Sequence, residues 1–339
     1  METTKSLRDV VGSSHVAGKY NFTSQDYLNE GADKLLEMGS RVAKFWFTDN
    51  PKRDYPFNSD WPEITSMVGL AKTDHFRDLF AKPFTTFILE AFAPGHDNST
   101  YEDGLSSERA TFEREQMYEL TKHLLTTYRG TGKTFILQNW EGDWILTNPD
   151  FTKIPHAKTI QGMIDWLAAR QEGVEQARQE IGMDGVTVAH AAEVNLVGRA
   201  MDGLITVTNN VLPHTRCDLY TYSAYDTSLQ SAEKFRDALN YLASKAPPSA
   251  LFGKNNILVG EFGCPENEFP AFLEIIKRTV ETALDWGALY VIYWELFCNE
   301  PARQYEGRPS NDDHRGFWLI RPDGTKSPVW DYFASLYAR

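Results

Sequence analysis

The sequence predicts a (β/α)8 barrel, the TIM-barrel form of the α/β class, as a single domain over residues 1–339. Short apolar, β-branched runs alternate with amphipathic runs of helical period from end to end of the chain. Eight such pairs fit the length, at roughly 40 residues per pair. No Pro- and Ser-rich linker divides them. An open doubly wound sheet competes, but the first turn, 12–18, lacks its GxGxxG pattern.

The predicted elements follow in order. Strands are expected at 9–16, 41–47, 84–92, 133–140, 186–193, 217–223, 256–261 and 289–295. Helices are expected at 24–39, 64–81, 107–129, 158–181, 199–212, 231–245 and 268–286. Gly39 and Gly287 end two of them, as glycine at a helix C-terminus does. Pro328 in a first turn begins an eighth helix, so a hairpin and helix at 316–339 complete the barrel.

Composition excludes several partners. The net charge of −13 argues against a nucleic acid or an anionic membrane surface as partner. No run of eighteen apolar residues predicts a membrane span. Three cysteines without CxxC spacing favour a reducing compartment. The N-terminus lacks an apolar signal region, so a cytoplasmic location is expected, or secretion if a leader was removed. The oligomeric state stays open.

Two glutamates end buried strands and carry the functional prediction. Strand 4 ends in Gln138-Asn139-Trp140-Glu141, and strand 7 ends in Val259-Gly-Glu261. Barrel enzymes place their chemistry at the carboxyl ends of the strands. Glycoside hydrolysis needs two carboxyl groups whose pKa values are separated by burial and by mutual charge. We therefore expect Glu141 and Glu261 to face one scissile bond.

These motifs resemble those of the retaining glycoside hydrolases of clan A. Tyr220-Thr-Tyr222 on strand 6, Tyr293-Trp294-Glu295 on strand 8 and the tail from Gly316 extend the resemblance over nearly the whole chain. It implies cleavage of β-linked sugars in an oligo- or polysaccharide, with Glu261 as nucleophile and Glu141 as acid/base. It further implies that Tyr222 hydrogen-bonds Glu261, that Trp294 stacks on the sugar, and that no metal or organic cofactor takes part.

One departure from that family concerns strand 4. The family has Asn directly before the acid/base glutamate, whereas Trp140 intervenes here. Along an extended strand Asn139 and Glu141 point the same way and Trp140 points away. Either a bulge restores Asn139 to the substrate or Asn139 has another role. Glu193, at the end of strand 5, is the reserve candidate for the acid.

Other polar and aromatic residues are expected around the barrel mouth as substrate-binding groups. They are Trp46, Trp140, Trp144, His15, Lys44, His190, Glu193 and Glu295. The pair His190 and Glu193 also supports a rival, a metal-dependent barrel hydrolase, although HExxH is absent. The second rival is a barrel that binds glycans without cleaving them, because the Asn-Trp-Glu order departs from the family.

Overall fold

Eight parallel strands close into a barrel, in which each strand pairs with its neighbours in sequence and β1 pairs with β8. This computed structural model describes residues 6–97, 100–147, 150 and 152–338. The strands are β1 (Val11–His15), β2 (Val42–Phe47), β3 (Thr86–Ala91), β4 (Thr134–Gln138), β5 (Thr187–Val194), β6 (Leu219–Ser223), β7 (Ile257–Phe262) and β8 (Val291–Tyr293). The predicted (β/α)8 barrel is confirmed, and each of the eight expected strands is present.

Helices surround the barrel and also form parts of its loops. They are α1 (Tyr27–Met38), α2 (Pro51–Asp54), α3 (Met67–Ala71), α4 (Asp74–Ala81), α5 (Ser107–Thr127), α6 (Gly142–Thr147), α7 (Ala157–Ile181), α8 (Val197–Met201), α9 (Val207–Asn210), α10 (Tyr225–Ser228), α11 (Ala232–Lys245), α12 (Phe272–Trp286) and α13 (Pro328–Tyr337). No helix within the described ranges is long and apolar enough to cross a membrane.

Two helices expected from the sequence are interrupted. The expected helix 64–81 is split because Thr73 caps a new N-terminus, its hydroxyl accepting from the Phe76 N–H. The expected helix 199–212 was wrong: the chain forms α8, α9 and a 3-10 turn instead. Gly203 adopts a φ of +81°, which ends a right-handed helix. Amphipathic spacing continued across both breaks, so periodicity alone did not show them.

The strands divide their side chains between two apolar layers. Alternate residues such as Val42, Ile88, Ile136 and Leu258 fill the barrel interior. The residues between them pack outwards against the helices in one large core. Both faces of these strands are therefore buried, which explains their nearly continuous apolar sequences.

An extra residue in β7 sets the direction of its last side chains. The pairing of β7 with β6 runs from Thr221–Leu258 to Ser223–Glu261, so three steps along β7 match two along β6. The pairing with β8 shows the same offset, between Val259 and Phe262. Such a bulge changes the direction of the side chains that follow it. It allows Leu258 and Glu261, three residues apart, to face the interior together.

The end of the chain packs against the barrel. Ile320 and Lys326 pair as an antiparallel bridge, the short hairpin expected before the last helix. Helix α13 follows, and the Tyr337 hydroxyl donates to the Val11 carbonyl at the start of β1 (3.0 Å). The opposite end of the barrel, where the strands finish, is left open for a cavity.

Candidate active site

A cavity of about 670 Å³ lies at the carboxyl ends of the strands. Both predicted catalytic residues, Glu141 after β4 and Glu261 on β7, line it. The sequence-predicted aromatic residues that share this lining are Trp46, Trp140, Trp144 and Trp294. The structure therefore brings together the two carboxyl groups and the four tryptophans that were placed at the mouth from sequence.

Glu261 is held between two donors from other elements, one on a strand and one on a helix. The Lys44 ammonium on β2 donates to Glu261 Oε1 (2.7 Å), and the Tyr225 hydroxyl donates to Oε2 (3.2 Å). The side chain of Lys44 is fully buried and that of Glu261 is 4% exposed. Charge-assisted hydrogen bonds at such distances fix a carboxylate and stabilise its negative charge. Glu261 is therefore positioned with both oxygens engaged and one edge on the cavity.

Lys44 also contacts two further buried glutamates. Its ammonium nitrogen lies 2.7 Å from Glu90 Oε1 and 3.4 Å from Glu193 Oε2. Burial and the neighbouring carboxylates raise the pKa of Glu90 well above its usual value, and burial raises that of Glu193. Burial alone would lower the pKa of Lys44, but the three carboxylates raise it well above its usual value. One permanent cation thus balances three buried carboxyl groups.

Glu141 differs from Glu261 in its electrostatic environment. It directly precedes α6, and its backbone carbonyl accepts from Trp144 N (3.1 Å). Burial, followed by the charges of Glu261 and Glu193, raises the pKa of Glu141 well above its usual value. Lys44 opposes this shift only in part. Glu141 is therefore a carboxyl group with a raised pKa, beside a carboxyl group that is ion-paired with an ammonium.

The predicted contact between Tyr222 and Glu261 is wrong. The Tyr222 hydroxyl donates to Asp226 and is hydrogen-bonded to Thr227 Oγ1 (2.7 Å), and both partners lie in α10. Strand β6 alternates, so its neighbours face the interior while Tyr222 faces the outer core. Tyr225, at the start of α10, makes the contact with Glu261 instead. The sequence signal that could have identified Tyr225 is its residue type, a second tyrosine three residues after Tyr222.

His190 does not lie at the mouth, contrary to expectation. On β5, Ala189 and Ala191 face the interior, so His190 faces the helices. Its ring is fully buried and contacts Gln171 Oε1 (3.1 Å) and Arg170 Nε (3.4 Å) on α7. Burial and the nearby Arg170 charge lower its pKa well below its usual value. His190 is a packing residue, separated from the cavity by its own strand.

Asn139 has a structural role, which the sequence had left open as the alternative to substrate binding. Its side-chain oxygen accepts from the Glu193 N–H (3.1 Å), and its amide donates to the Trp140 carbonyl (2.6 Å). Asn139 is fully buried and does not line the cavity. It ties the end of β4 to β5 and does not face the cavity in which the substrate contact was expected. Trp140 takes the place on the cavity wall.

Glu193 and Glu295 lie beneath the cavity rather than on its wall. Glu193 accepts from Gln138 Nε2 (2.5 Å), Ser223 Oγ (2.8 Å) and Thr221 Oγ1 (3.2 Å), in addition to Lys44. These donors stabilise it as a buried acceptor, which does not suit the reserve role of proton donor. Glu295 is fully buried and accepts from Asn299 N (2.8 Å). Both were expected to contact the substrate, but neither lines the cavity.

The carboxyl cluster contains the atoms of a possible metal site. One oxygen each from Glu90, Glu193 and Glu261 lies within 4.8 Å of the others. The Lys44 ammonium nitrogen lies 2.7 to 3.4 Å from all three, at the position that a cation would take. The side chains therefore supply their own cation. His190, the predicted nitrogen ligand, faces the other side of β5.

Several lining residues were missed in the sequence. The others on the cavity wall are Asn195, Leu196, Tyr225, Asp226, Leu229, Pro265, Glu268, Phe269, Asn299, Glu300, Arg315 and Phe317. All lie in loops after β5 to β8, where a sequence gives residue type but no direction. Glu90 was missed as well, although a glutamate ending an apolar strand is the signal that identified Glu261.

Comparison with known proteins shows a likeness of fold alone. No protein-family model matches the chain, and no curated protein matches it in sequence. Solved structures match over nearly all of it and share the (β/α)8 barrel fold of glycoside hydrolases. The resemblance drawn from the sequence motifs is thus confirmed at the level of fold.

Three of these structures show the extent of the likeness. Endo-glycoceramidase II from Rhodococcus sp. is 14% identical, with 96% of this chain and 78% of that chain covered and a TM-score of 0.56. Exo-beta-1,4-mannosidase Op5Man5 from an Opitutaceae bacterium is 12% identical, with 97% and 59% covered and a TM-score of 0.61. A Bacteroidetes-affiliated GH5 cellulase is 13% identical, with 98% and 90% covered and a TM-score of 0.57.

Proposed function

We propose that this protein is a glycoside hydrolase that cleaves β-linked glycosidic bonds by a retaining double displacement. The observation that carries the proposal is the pair Glu141 and Glu261 on the wall of one cavity. One of them has a raised pKa and the other is ion-paired with Lys44. Two carboxyl groups in different electrostatic environments suit the two roles that glycosidic cleavage requires.

The roles follow from these environments. Glu261, with its charge stabilised by Lys44 and Tyr225, attacks the anomeric carbon and forms a glycosyl–enzyme ester. Glu141 donates its proton to the leaving oxygen as the bond breaks. Glu141, now a carboxylate, then takes a proton from the water that cleaves the ester, which releases the sugar and restores both residues.

The surroundings of the pair suit an oligosaccharide or polysaccharide substrate. Trp46, Trp140, Trp144 and Trp294 place aromatic faces along the cavity, and the C–H faces of sugars bury against such surfaces. The three similar structures carry the names of enzymes for glycoceramides, mannosides and cellulose. This common chemistry supports a β-glycoside as the substrate class.

The proposal is tested with a panel of chromogenic β-glycosides. We expect hydrolysis of at least one member, with the β-anomer as the first product seen by proton NMR. Glu261→Ala lowers turnover to the background rate. Glu141→Ala slows substrates with poor leaving groups most, because good leaving groups depart without protonation. Azide restores turnover in either variant by entering the space of the missing carboxylate.

The exposed carboxylate Glu119 on α5 supplies the matched control. Glu119→Ala keeps the rate of the wild type. Undiminished turnover in Glu261→Ala contradicts the nucleophile assignment, and an α-anomer as first product contradicts retention. Saturable glycan binding without hydrolysis by any preparation identifies a glycan-binding barrel instead.

A further inference from the structure

We infer that the leaving-group side of this cavity accepts an aliphatic or aryl aglycone rather than a second sugar. This inference deepens the proposed function and rests on it. Its basis is the uneven distribution of aliphatic side chains around the two catalytic carboxyl groups.

Aliphatic lining residues occur on one side only. Leu196 follows β5, Leu229 follows β6 and Pro265 follows β7, with Phe269 four residues further on. These loops are adjacent around the barrel because the strands close in chain order. Phe269 is 37% exposed, so part of its ring faces the open cavity. Together these four residues form an apolar wall, named here the β5–β7 wall.

The acidic groups along the β5–β7 wall are already engaged within the protein. Asp226 accepts from the Tyr222 hydroxyl and from Gly198 N (2.7 Å). Glu268 accepts from Arg315 through both carboxylate oxygens, at 2.6 and 2.9 Å. If a sugar ring packed against this wall, several of its hydroxyls would lose their hydrogen bonds to water and would contact leucine, proline and phenylalanine side chains instead. Losing hydrogen bonds of this kind costs about 1–3 kcal/mol each.

The opposite side suits a sugar. It is lined by Trp46 on β2 and by Trp294 and Asn299, which follow β8. Glu300 lies there too, but its carboxylate already accepts from the Trp294 indole N–H (3.0 Å) and from Arg315 (2.6 Å). The Trp46 indole N–H is buried and has no hydrogen-bond partner among the described residues. A buried donor of this kind is satisfied by an acceptor such as a sugar hydroxyl. This side therefore combines aromatic faces with hydrogen-bonding groups.

The chemistry of the reaction indicates which part of the substrate occupies each side of the cavity. The moiety attacked at its anomeric carbon is a sugar in every glycoside, whereas the leaving group is any alcohol. The sugar consequently occupies the Trp46 side, and the leaving group occupies the β5–β7 wall. An alkyl chain there gains about 0.8 kcal/mol for each methylene removed from water. Glu141, between Trp140 and α6, supplies the proton to the oxygen that joins the two parts.

The test compares leaving groups of equal reactivity and unequal length. Methyl and octyl β-glycosides of glucose, galactose and mannose are hydrolysed below the critical micelle concentration, with cellobiose as the disaccharide. If three of the seven added methylenes are buried, kcat/KM rises on the order of 50-fold from methyl to octyl. Binding of the same compounds is measured by calorimetry in the wild-type protein.

The variants localise the effect. Phe269→Ser and Leu229→Ser each lower the octyl-to-methyl ratio of kcat/KM by about threefold or more. Met183→Ser is the matched control: Met183 is 38% exposed, close to the 37% of Phe269, but lies before β5 at the other end of the barrel. It keeps the wild-type ratio.

The outcomes separate the two proposals. An octyl-to-methyl ratio near one, or faster cleavage of cellobiose than of the octyl glycoside, overturns the apolar subsite while the glycosidase stands. Absence of all hydrolysis contradicts the glycosidase. In that case calorimetry decides: tighter octyl binding that Phe269→Ser weakens supports the apolar site, and equal binding of octyl and methyl overturns it.

Discussion

Replacing Lys44 by methionine is the most informative perturbation of this barrel. The change removes the ammonium and keeps an unbranched side chain of similar length. Three buried carboxyl groups, Glu90, Glu193 and Glu261, then lose the cation that lies 2.7 to 3.4 Å from them. The variant therefore tests whether the cluster depends on this charge or merely on the packing of the side chain.

The magnitude follows from the distances. At an effective dielectric constant near 20, a pair of unit charges 2.7 Å apart attracts by about 6 kcal/mol. Removing Lys44 also removes the cost of burying it, which offsets part of this loss. Breaking a buried ion pair on one side typically costs about 3–5 kcal/mol. We expect Lys44→Met to lower the free energy of unfolding by about that amount near neutral pH.

The cost depends on pH in a defined direction. Lys44 lowers the pKa values of Glu90 and Glu193, so its removal raises pKa values that burial has already raised. The folded variant then binds more protons than the unfolded chain above pH 4.5, and its stability falls as the pH rises. Each extra proton changes the free energy of unfolding by about 1.4 kcal/mol per pH unit. The deficit relative to wild type is therefore larger at pH 8 than at pH 5.

Urea unfolding followed by tryptophan fluorescence at pH 5 and pH 8 measures this cost. Lys133→Met is the control, because Lys133 is partly buried and, among the described residues, donates to two backbone carbonyls, of Lys82 (2.6 Å) and Phe84 (3.1 Å), and to no carboxylate. We expect it to cost about 1 kcal/mol, equally at both pH values. Adding Glu90→Gln to Lys44→Met recovers part of the loss. A Lys44→Met deficit below about 1 kcal/mol, or one independent of pH, refutes the reasoning.

Three further outcomes follow from the contacts. Tyr225→Phe removes a hydrogen bond to Glu261 and should lower kcat about tenfold or more. Tyr222→Phe should lower stability and leave kcat unchanged. Steady-state kinetics in which Tyr222→Phe lowers kcat more than Tyr225→Phe does would contradict this. Asn139→Ala leaves a buried β5 N–H unpaired and should cost about 1–3 kcal/mol in chemical denaturation, and an unchanged midpoint argues against it. Burial raises the pKa of Asp226 to about 6, so the folded protein binds this proton more tightly than the unfolded chain does. The free energy of unfolding of the wild type should therefore fall by up to about 3 kcal/mol from pH 4 to pH 7. Asp226→Asn should flatten that profile.

The strands and the two strand-end glutamates were predictable because each depends on local sequence. An apolar run of five or six residues predicts a buried strand, whichever elements surround it, and a carboxylate on that strand or just after it then lies at the barrel mouth. The order of eight such runs then places Glu141 and Glu261 four and seven strands along one ring. The break of helix 199–212 was not predictable from periodicity, since Gly203 stands within a continuous amphipathic pattern.

Side-chain direction separates the predicted residues that line the cavity from those that do not. Trp46 and Trp294 were correctly placed on the cavity, while Tyr222 and His190 face the helices. Successive residues of a strand face opposite sides, so an error of one in register reverses the assignment. The extra residue in β7, which turns Glu261 inwards, is one such shift that no pattern in the sequence marks.

By itself the sequence determined the barrel, the order of its strands and the identity of the two candidate catalytic glutamates, since these follow from hydrophobic pattern and strand ends. Only the tertiary structure decided that Lys44 balances Glu90, Glu193 and Glu261, and that Tyr225 rather than Tyr222 holds the nucleophile. These residues come from five strands or their loops and are up to 217 positions apart. Their contacts depend on closure of the barrel, which joins groups that local sequence cannot relate.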